Sequence, residues 1–168
     1  DLPDLLADET TTQTCVKRIQ PLEAFIAAEL ASGSLDKVRF KSTRSHLLLH
    51  GHCHQKAMFG TDTLKAVFDH VEGMTYEEVD SGCCGMAGSF GYTHHDLSET
   101  IGEDRLFPAV RQQAAETQVV ACGISCRHQL HDFLGAEAKH WVEVVSVARD
   151  SAPVTSVTMA SSSDSPIE

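Results

Sequence analysis

The sequence predicts an α/β domain, a parallel sheet with flanking helices. Three observations predict it. Strand-like runs at 46–50, 75–80 and 117–121 alternate with segments of helical period, and parallel strands need such crossovers. Each run ends in a turn that leads to cysteine, the placement ligands take at the carboxyl ends of parallel strands. The chain has 168 residues, 42% of them hydrophobic, enough for one core without disulfide staples.

The elements follow in order. Residues 1–6, Asp-Leu-Pro-Asp-Leu-Leu, make a short apolar anchor before a polar stretch that holds Cys15, a bystander thiol. In 21–31, Leu22, Phe25, Ile26 and Leu30 recur at helical spacing, with Pro21 in the first turn and Gly33 just past the end. This predicts an amphipathic helix suited to pack on a preceding domain. The apolar run 46–50 is a strand stopped by Gly51, and one helix is expected from 56 to about 71. A second strand at 75–80 leads into Cys83 and Cys84. Helices are expected at 96–102 and 106–116, the latter with Pro108 in its first turn. A third strand at 117–121 precedes a helix at 127–134 closed by Gly135, and 141–147 form a last strand or core segment. From 151 the chain is rich in serine and low in complexity. The division expected is therefore a helical extension or linker at 1–44, the domain at 45–150 and a disordered tail at 151–168.

The chemistry sits in three segments: His-Gly-His-Cys-His (50–54), Ser-Gly-Cys-Cys-Gly-Met-Ala-Gly-Ser-Phe-Gly-Tyr (81–92) and Ala-Cys-Gly-Ile-Ser-Cys-Arg-His-Gln (121–129). Two adjacent thiols make a poor core element and a strained disulfide. Only a tight turn aims both sulfurs at one point, and Gly82 and Gly85 bracket the pair to supply it. Side-by-side thiolates suit a polynuclear centre better than a single tetrahedral ion, so an iron–sulfur cluster is the first hypothesis.

These segments resemble the cysteine-rich "CCG" domain. It occurs in the iron–sulfur subunits of glycolate oxidase, anaerobic glycerol-3-phosphate dehydrogenase and lactate-utilisation proteins, and in heterodisulfide reductase. Through 82–92 and Ile-Gly-Glu-Asp-Arg-Leu-Phe-Pro-Ala-Val-Arg (101–111) the chain is most similar to the iron–sulfur region of large FAD-linked oxidases resembling D-lactate and D-2-hydroxyglutarate dehydrogenases. The resemblance covers roughly 45–145. It implies Rossmann-like layering and a 4Fe-4S cluster, cubane or noncubane, on Cys53, Cys83, Cys84 and Cys126. Hydrogen-bond partners of the sulfurs are expected from Gly82, Gly85, Gly88, His52, His54 and His128. In one respect the sequence departs from the pattern. Many CCG domains end in Cys-x-x-Cys, but here Gly123 stands three before Cys126, and Cys122 one further back is a candidate additional ligand.

Composition narrows the partners. Thirteen basic against 24 acidic residues give a net charge of −11, which argues against nucleic acid and anionic membrane. Six cysteines in a chain this long are too few for a secreted disulfide scaffold and point to a reducing compartment. No membrane span or signal peptide is visible, so a cytoplasmic location is expected, peripheral at the inner membrane only through an electron acceptor. The chain begins with Asp and is expected to be a piece of a longer protein. The resemblance supplies the partners: a flavin-binding domain that carries FAD, and a preceding iron–sulfur region.

Duller readings stand beside these. His50, His52 and His54 alternate along an extended segment and share a face, which suits a zinc site beside Cys53, hydrogen bonding to sulfur, or nothing beyond strand-end histidines. His94 and His95 read as solvated. The Gly-x-x-Gly-x-x-Gly run lacks the spacing of a nucleotide loop and fits close backbone approach to anionic sulfur. No Cys–His–Asp order is legible, so no catalytic residue is assigned, although a thiol near His128 is chemically able to act as a nucleophile. Two functions remain: an electron-transfer domain that is not catalytic alone, relaying electrons from flavin to an acceptor, or a structural zinc-binding interaction domain. Adjacent cysteines, four thiols and the glycine-lined loop favour the first.

Overall fold

A computed structural model describes residues 9–148; the anchor at 1–6 and the tail at 151–168 lie outside the described residues. Helices α1 (Glu9–Arg18) and α2 (Leu22–Ala31) lead into strands β1 (Phe40–Ser42) and β2 (His46–His50). Next come α3 (Cys53–Met58), α4 (Asp62–Phe68), β3 (Val71–Glu72) and β4 (Thr75–Glu78). The glycine run ends in α5 (Phe90–Thr93), followed by α6 (His95–Asp104), α7 (Leu106–Arg111), β5 (Gln118–Ala121), α8 (Ile124–Leu134), α9 (Trp141–Val144) and β6 (Val145–Val147).

The expected parallel sheet is present, with helices on its flanks. β2 lies in its middle and pairs in parallel with β4 on one side and β5 on the other, Leu48 standing opposite both Glu77 and Val119. A central parallel strand covered on both faces needs apolar residues at every position, and Leu47, Leu48 and Leu49 are all buried. Alternation sends them to two different cores. Leu47 and Leu49 pack with Leu64, Val67 and Phe68 of α4 and with Ile26 and Leu30 of α2. Leu48 packs with Val119, with Leu106 and Phe107 of α7 and with Leu130 of α8. The α/β layering thus follows from one run of three leucines.

Several elements differ from expectation for identifiable reasons. The single helix expected over 56–71 is two, α3 and α4, broken at Gly60 (φ 72°). Helix α7 stops at Arg111 rather than 116, because the chain must turn back to enter β5. The segment 141–147 is one helical turn and then a strand, the turn being closed at its start by His140 and Glu143 in a capping box. Phe40–Ser42, inside the region assigned to the extension, is a strand of a second sheet ordered β3-β1-β6, parallel to β3 and antiparallel to β6. Phe40 belongs to the same core as Leu47. Of the α2 residues expected on one face, Ile26 and Leu30 pack on this core, while Leu22 and Phe25 are exposed.

What matters for the site is the common edge. β2, β4 and β5 are parallel, so the segments after His50, Glu78 and Ala121 all leave the sheet from one end.

Candidate metal centre

The three segments leaving that end carry the cysteines. Cys53 opens α3, Cys83 and Cys84 lie in the loop after β4, and Cys126 is in the first turn of α8 after β5. Cys84 and Cys126 are buried, Cys53 and Cys83 half-buried, and none of the six cysteines is in a disulfide. The thiols interact in two pairs. Cys84 interacts with Cys126 and Cys83 with Cys53, and the Cys126 sulfur feels the charge of the other three.

The pairs differ electrostatically. The Cys84 thiol is lowered to about 4, first because the Cys126 S–H donates to its sulfur and then, against the opposing cost of burial, through the His50 imidazole and the Met86 N–H. Cys126 is held well above the ordinary thiol range by donating to Cys84, by burial and by the neighbouring thiolates. Cys83 is raised by burial, which outweighs a hydrogen bond from the Gly85 N–H to its Sγ at 3.3 Å.

The loop geometry depends on Gly85. Its φ is +107°, and a Cβ there would meet the Ser98 carbonyl oxygen at 2.6 Å and Gln129 Nε2 at 3.0 Å. Gln129 Nε2 in turn bonds Ser98 Oγ at 2.9 Å, so α6 and α8 clamp the loop between them. Gly88 (φ +70°) and Gly82 have open space where a side chain would go. An open groove of ≈ 580 Å³, lined by Ser81, Gly82, Cys83, Ile101, Glu103 and Arg105 among others, leaves Cys83 on the solvent side of the cluster of thiols.

The remaining candidates separate cleanly. Cys122 is not brought to the group: it follows β5 on the opposite face, packs against the Leu47 core and borders a cavity with Glu23, His52 and Gln55. Burial, with the Glu23 charge adding, pushes its thiol up to about 12. Iodoacetamide at pH 8 is therefore expected to modify exposed Cys15 and leave Cys122 unlabelled, with Cys122 labelling rising as pH approaches that value; peptide mapping by mass spectrometry reads both. His128 is exposed and shares a hydrogen bond with Tyr92 Oη at 3.1 Å, and His54 is exposed, so neither reaches the sulfurs. His52 is half-buried, with its ring against the Cα of Gly123. A side chain at 123 would collide with that ring and lie 3.0 Å from Cys126 Sγ, which accounts physically for glycine at this position.

The three alternating histidines do not share a face, because the extended run ends at His50 and α3 begins at Cys53. Only His50 joins the cysteines. A ring nitrogen of His50, Cys84 Sγ and Cys126 Sγ all lie within 4.8 Å of one another. His50 is fully buried; its Nδ1 is 2.9 Å from Ser81 Oγ, and its Nε2 has no partner besides the Cys84 sulfur, whose negative charge the imidazole stabilises. The sequence held a usable signal for it: His50 has the parity of Leu48, and Leu48 is on the face that carries Cys84 and Cys126. Two buried thiols and a buried imidazole, with the half-buried thiols of Cys53 and Cys83 nearby, form a donor set that fits an iron–sulfur group.

Comparison with known proteins points the same way. The chain is 30% identical over 97 residues to D-2-hydroxyglutarate dehydrogenase of Escherichia coli (strain K12), covering 56% of this chain and 10% of the relative. It is 25% identical over 104 residues to one of the subunits of anaerobic glycerol-3-phosphate dehydrogenase of the same organism, covering 61% and 26%. It is 27% identical over 78 residues to the glycolate oxidase iron–sulfur subunit of that organism, covering 45% and 19%. The aligned stretches span between 10% and 26% of the length of these curated relatives. No family model matches the chain. No solved structure matches it significantly.

Proposed function

We propose that this chain is an iron–sulfur-binding electron-transfer domain of an FAD-linked 2-hydroxy-acid oxidoreductase, relaying electrons from a flavin to an acceptor. The observation that supports this reading is the buried group of His50, Cys84 and Cys126 at one sheet edge, with Cys53 and Cys83 near enough to interact with it electrostatically. Relatives whose names are those of a dehydrogenase, a dehydrogenase subunit and an iron–sulfur subunit support it. The partners proposed are a flavin-binding domain and a preceding iron–sulfur region, in the same or a partner chain. Among the described residues no helix is long and apolar enough to cross a membrane, and membrane association is proposed only through the acceptor.

When bound, an iron–sulfur cluster supplies reversible one-electron transfer at a potential set by its surroundings. The protein's residues do the rest. Cys84 and Cys126 would hold the buried side and exclude water, while half-buried Cys53 and Cys83 would hold the outer side, Cys83 at the groove. The N–H groups of Gly85 and Met86 are directed at the Cys83 and Cys84 sulfurs and stabilise their negative charge.

A single zinc ion is the second reading, favoured by the 4.8 Å spacing of His50, Cys84 and Cys126. Anaerobic reconstitution of the reduced protein with iron and sulfide separates the two. Stoichiometric iron and acid-labile sulfide are expected in the wild type and in Cys122→Ser, but not in Cys126→Ser. One zinc per chain, with neither iron nor sulfide taken up, would overturn the cluster. Dependence of either metal on Cys122 would overturn the ligand set.

A further inference from the structure

We propose that His50 is itself a metal ligand, its Nε2 binding the same centre as the Cys84 and Cys126 sulfurs, so that the centre is held by mixed thiolate and imidazole donors. This deepens the metal-centre reading and rests on it.

Three independent features of His50 support the assignment. It is 0% exposed, a ring nitrogen lies within 4.8 Å of both the Cys84 and the Cys126 sulfur, and Nε2 has no partner besides the Cys84 sulfur whose charge the imidazole stabilises. Its other nitrogen is occupied: Nδ1 is 2.9 Å from Ser81 Oγ. The Ser81 carbonyl is in turn bonded by Lys56 Nζ, so the serine is fixed from two sides. Metal-bound histidines show this same division, one nitrogen on the metal and the other on an oxygen that sets the tautomer and the ring plane. Finally, His50 ends a strand paired on both sides, with His50 opposite Ala121, so the ring is carried on a rigid part of the fold.

The neighbouring histidines lack this combination. His54 is exposed, and His52 is half-buried against Gly123 and the cavity lined by Cys122 and Gln55. A neutral imidazole at this position, where a thiolate would add a negative charge, also favours the reduced form of the centre. Where histidines replace cysteines on one iron of a two-iron cluster, the potential rises for this reason. Exchanging His50 for cysteine should therefore lower the potential while keeping a ligand in place.

The test uses protein labelled with ¹⁵N-histidine, reconstituted anaerobically, reduced and examined by pulsed EPR, with iron and sulfide measured on each sample. Wild type, His52→Ala and His54→Ala are expected to show the strong hyperfine coupling of a directly bound imidazole nitrogen. His50→Ala is expected to lose it, and His50→Cys to lose it with iron and sulfide retained and the potential lowered. Ser81→Ala is expected to keep the coupling but change its magnitude, as a reoriented ring requires; this readout does not need a variant at His50 to fold. Normal iron and sulfide in the wild type with only weak, through-hydrogen-bond nitrogen coupling would overturn the His50 assignment and leave the cluster standing. Loss of the coupling in His52→Ala instead would also overturn it. Zinc alone, with X-ray absorption showing a nitrogen ligand that disappears in His50→Ala, would overturn the cluster and uphold His50. Absence of bound metal under every condition would overturn both.

Discussion

Cys84→Ser is expected to reduce bound iron and sulfide to background after anaerobic reconstitution. Three other groups depend on this one sulfur: Cys126 donates to it, the Met86 N–H points at it, and His50 lies beside it. A serine oxygen there is shorter, harder and far less acidic, and iron–sulfur clusters are held by thiolates. In the full-length oxidoreductase proposed above, the consequence divides by half-reaction. Reduction of the flavin by substrate should stay close to wild type, because no group of this domain is assigned to substrate. Reoxidation by the acceptor should slow at least on the order of 100-fold, since changes to mere partners of metal ligands already alter affinity or activity by about 10–100-fold. Stopped-flow spectroscopy follows both phases. Collapse of flavin reduction, with flavin content and fold intact, would mean that the domain takes part in substrate chemistry, and the relay reading would be wrong.

Gly85→Ala is expected to destabilise the metal-free protein by about 3 kcal/mol, from positive-φ strain together with a backbone clash. The obstruction is the Ser98 carbonyl oxygen, 2.6 Å from where the Cβ would sit, and it belongs to a helix rather than to a side chain able to swing away. Relief requires moving the loop that holds Cys83 and Cys84, so metal uptake should fall with stability. Two neighbouring glycines calibrate the effect. Gly88→Ala meets nothing but keeps a φ of +70°, and should cost about 1 kcal/mol. Gly82→Ala has open space and no positive φ, and should stay within about 0.5 kcal/mol of wild type. Urea denaturation of the four proteins gives the ordering; a Gly85→Ala as stable as Gly82→Ala would show that the loop is not clamped as described.

Legibility of the fold in the sequence followed the range of the interactions responsible. The apolar run at 46–50, the stop at Gly51 and the helix closed by Gly135 are local patterns, and each corresponds to an element. The order strand, turn, cysteine was likewise readable three times, which is why the common edge could be anticipated. β1 was not readable, because Phe-Lys-Ser is too short for an alternation and exists only through pairing with Val71–Glu72 and Val145–Val147. The break at Gly60 was hidden by apolar residues that keep helical spacing on both sides of it. At the site, Cys122 and Gly123 were ambiguous because sequence proximity to Cys126 says nothing about the face; the reversal of direction between β5 and α8 decides it. His50 was visible as one of three alternating histidines, but its burial depends on Ser81 and the two cores, all distant in sequence.

The pairing of β2 with β5 also sets an order in time. Leu47 stands opposite Gln118, so the central strand waits for a partner made long after it. During synthesis His50 and Cys53 emerge first, the adjacent cysteines next and Cys126 last, and until β5 docks beside β2 there is no pocket for them to share. Closing so long a loop is a slow, late event in folding. Assembly of the proposed centre would therefore follow the docking of β5 on β2, and the interval before it is the period in which unprotected thiols are open to oxidants.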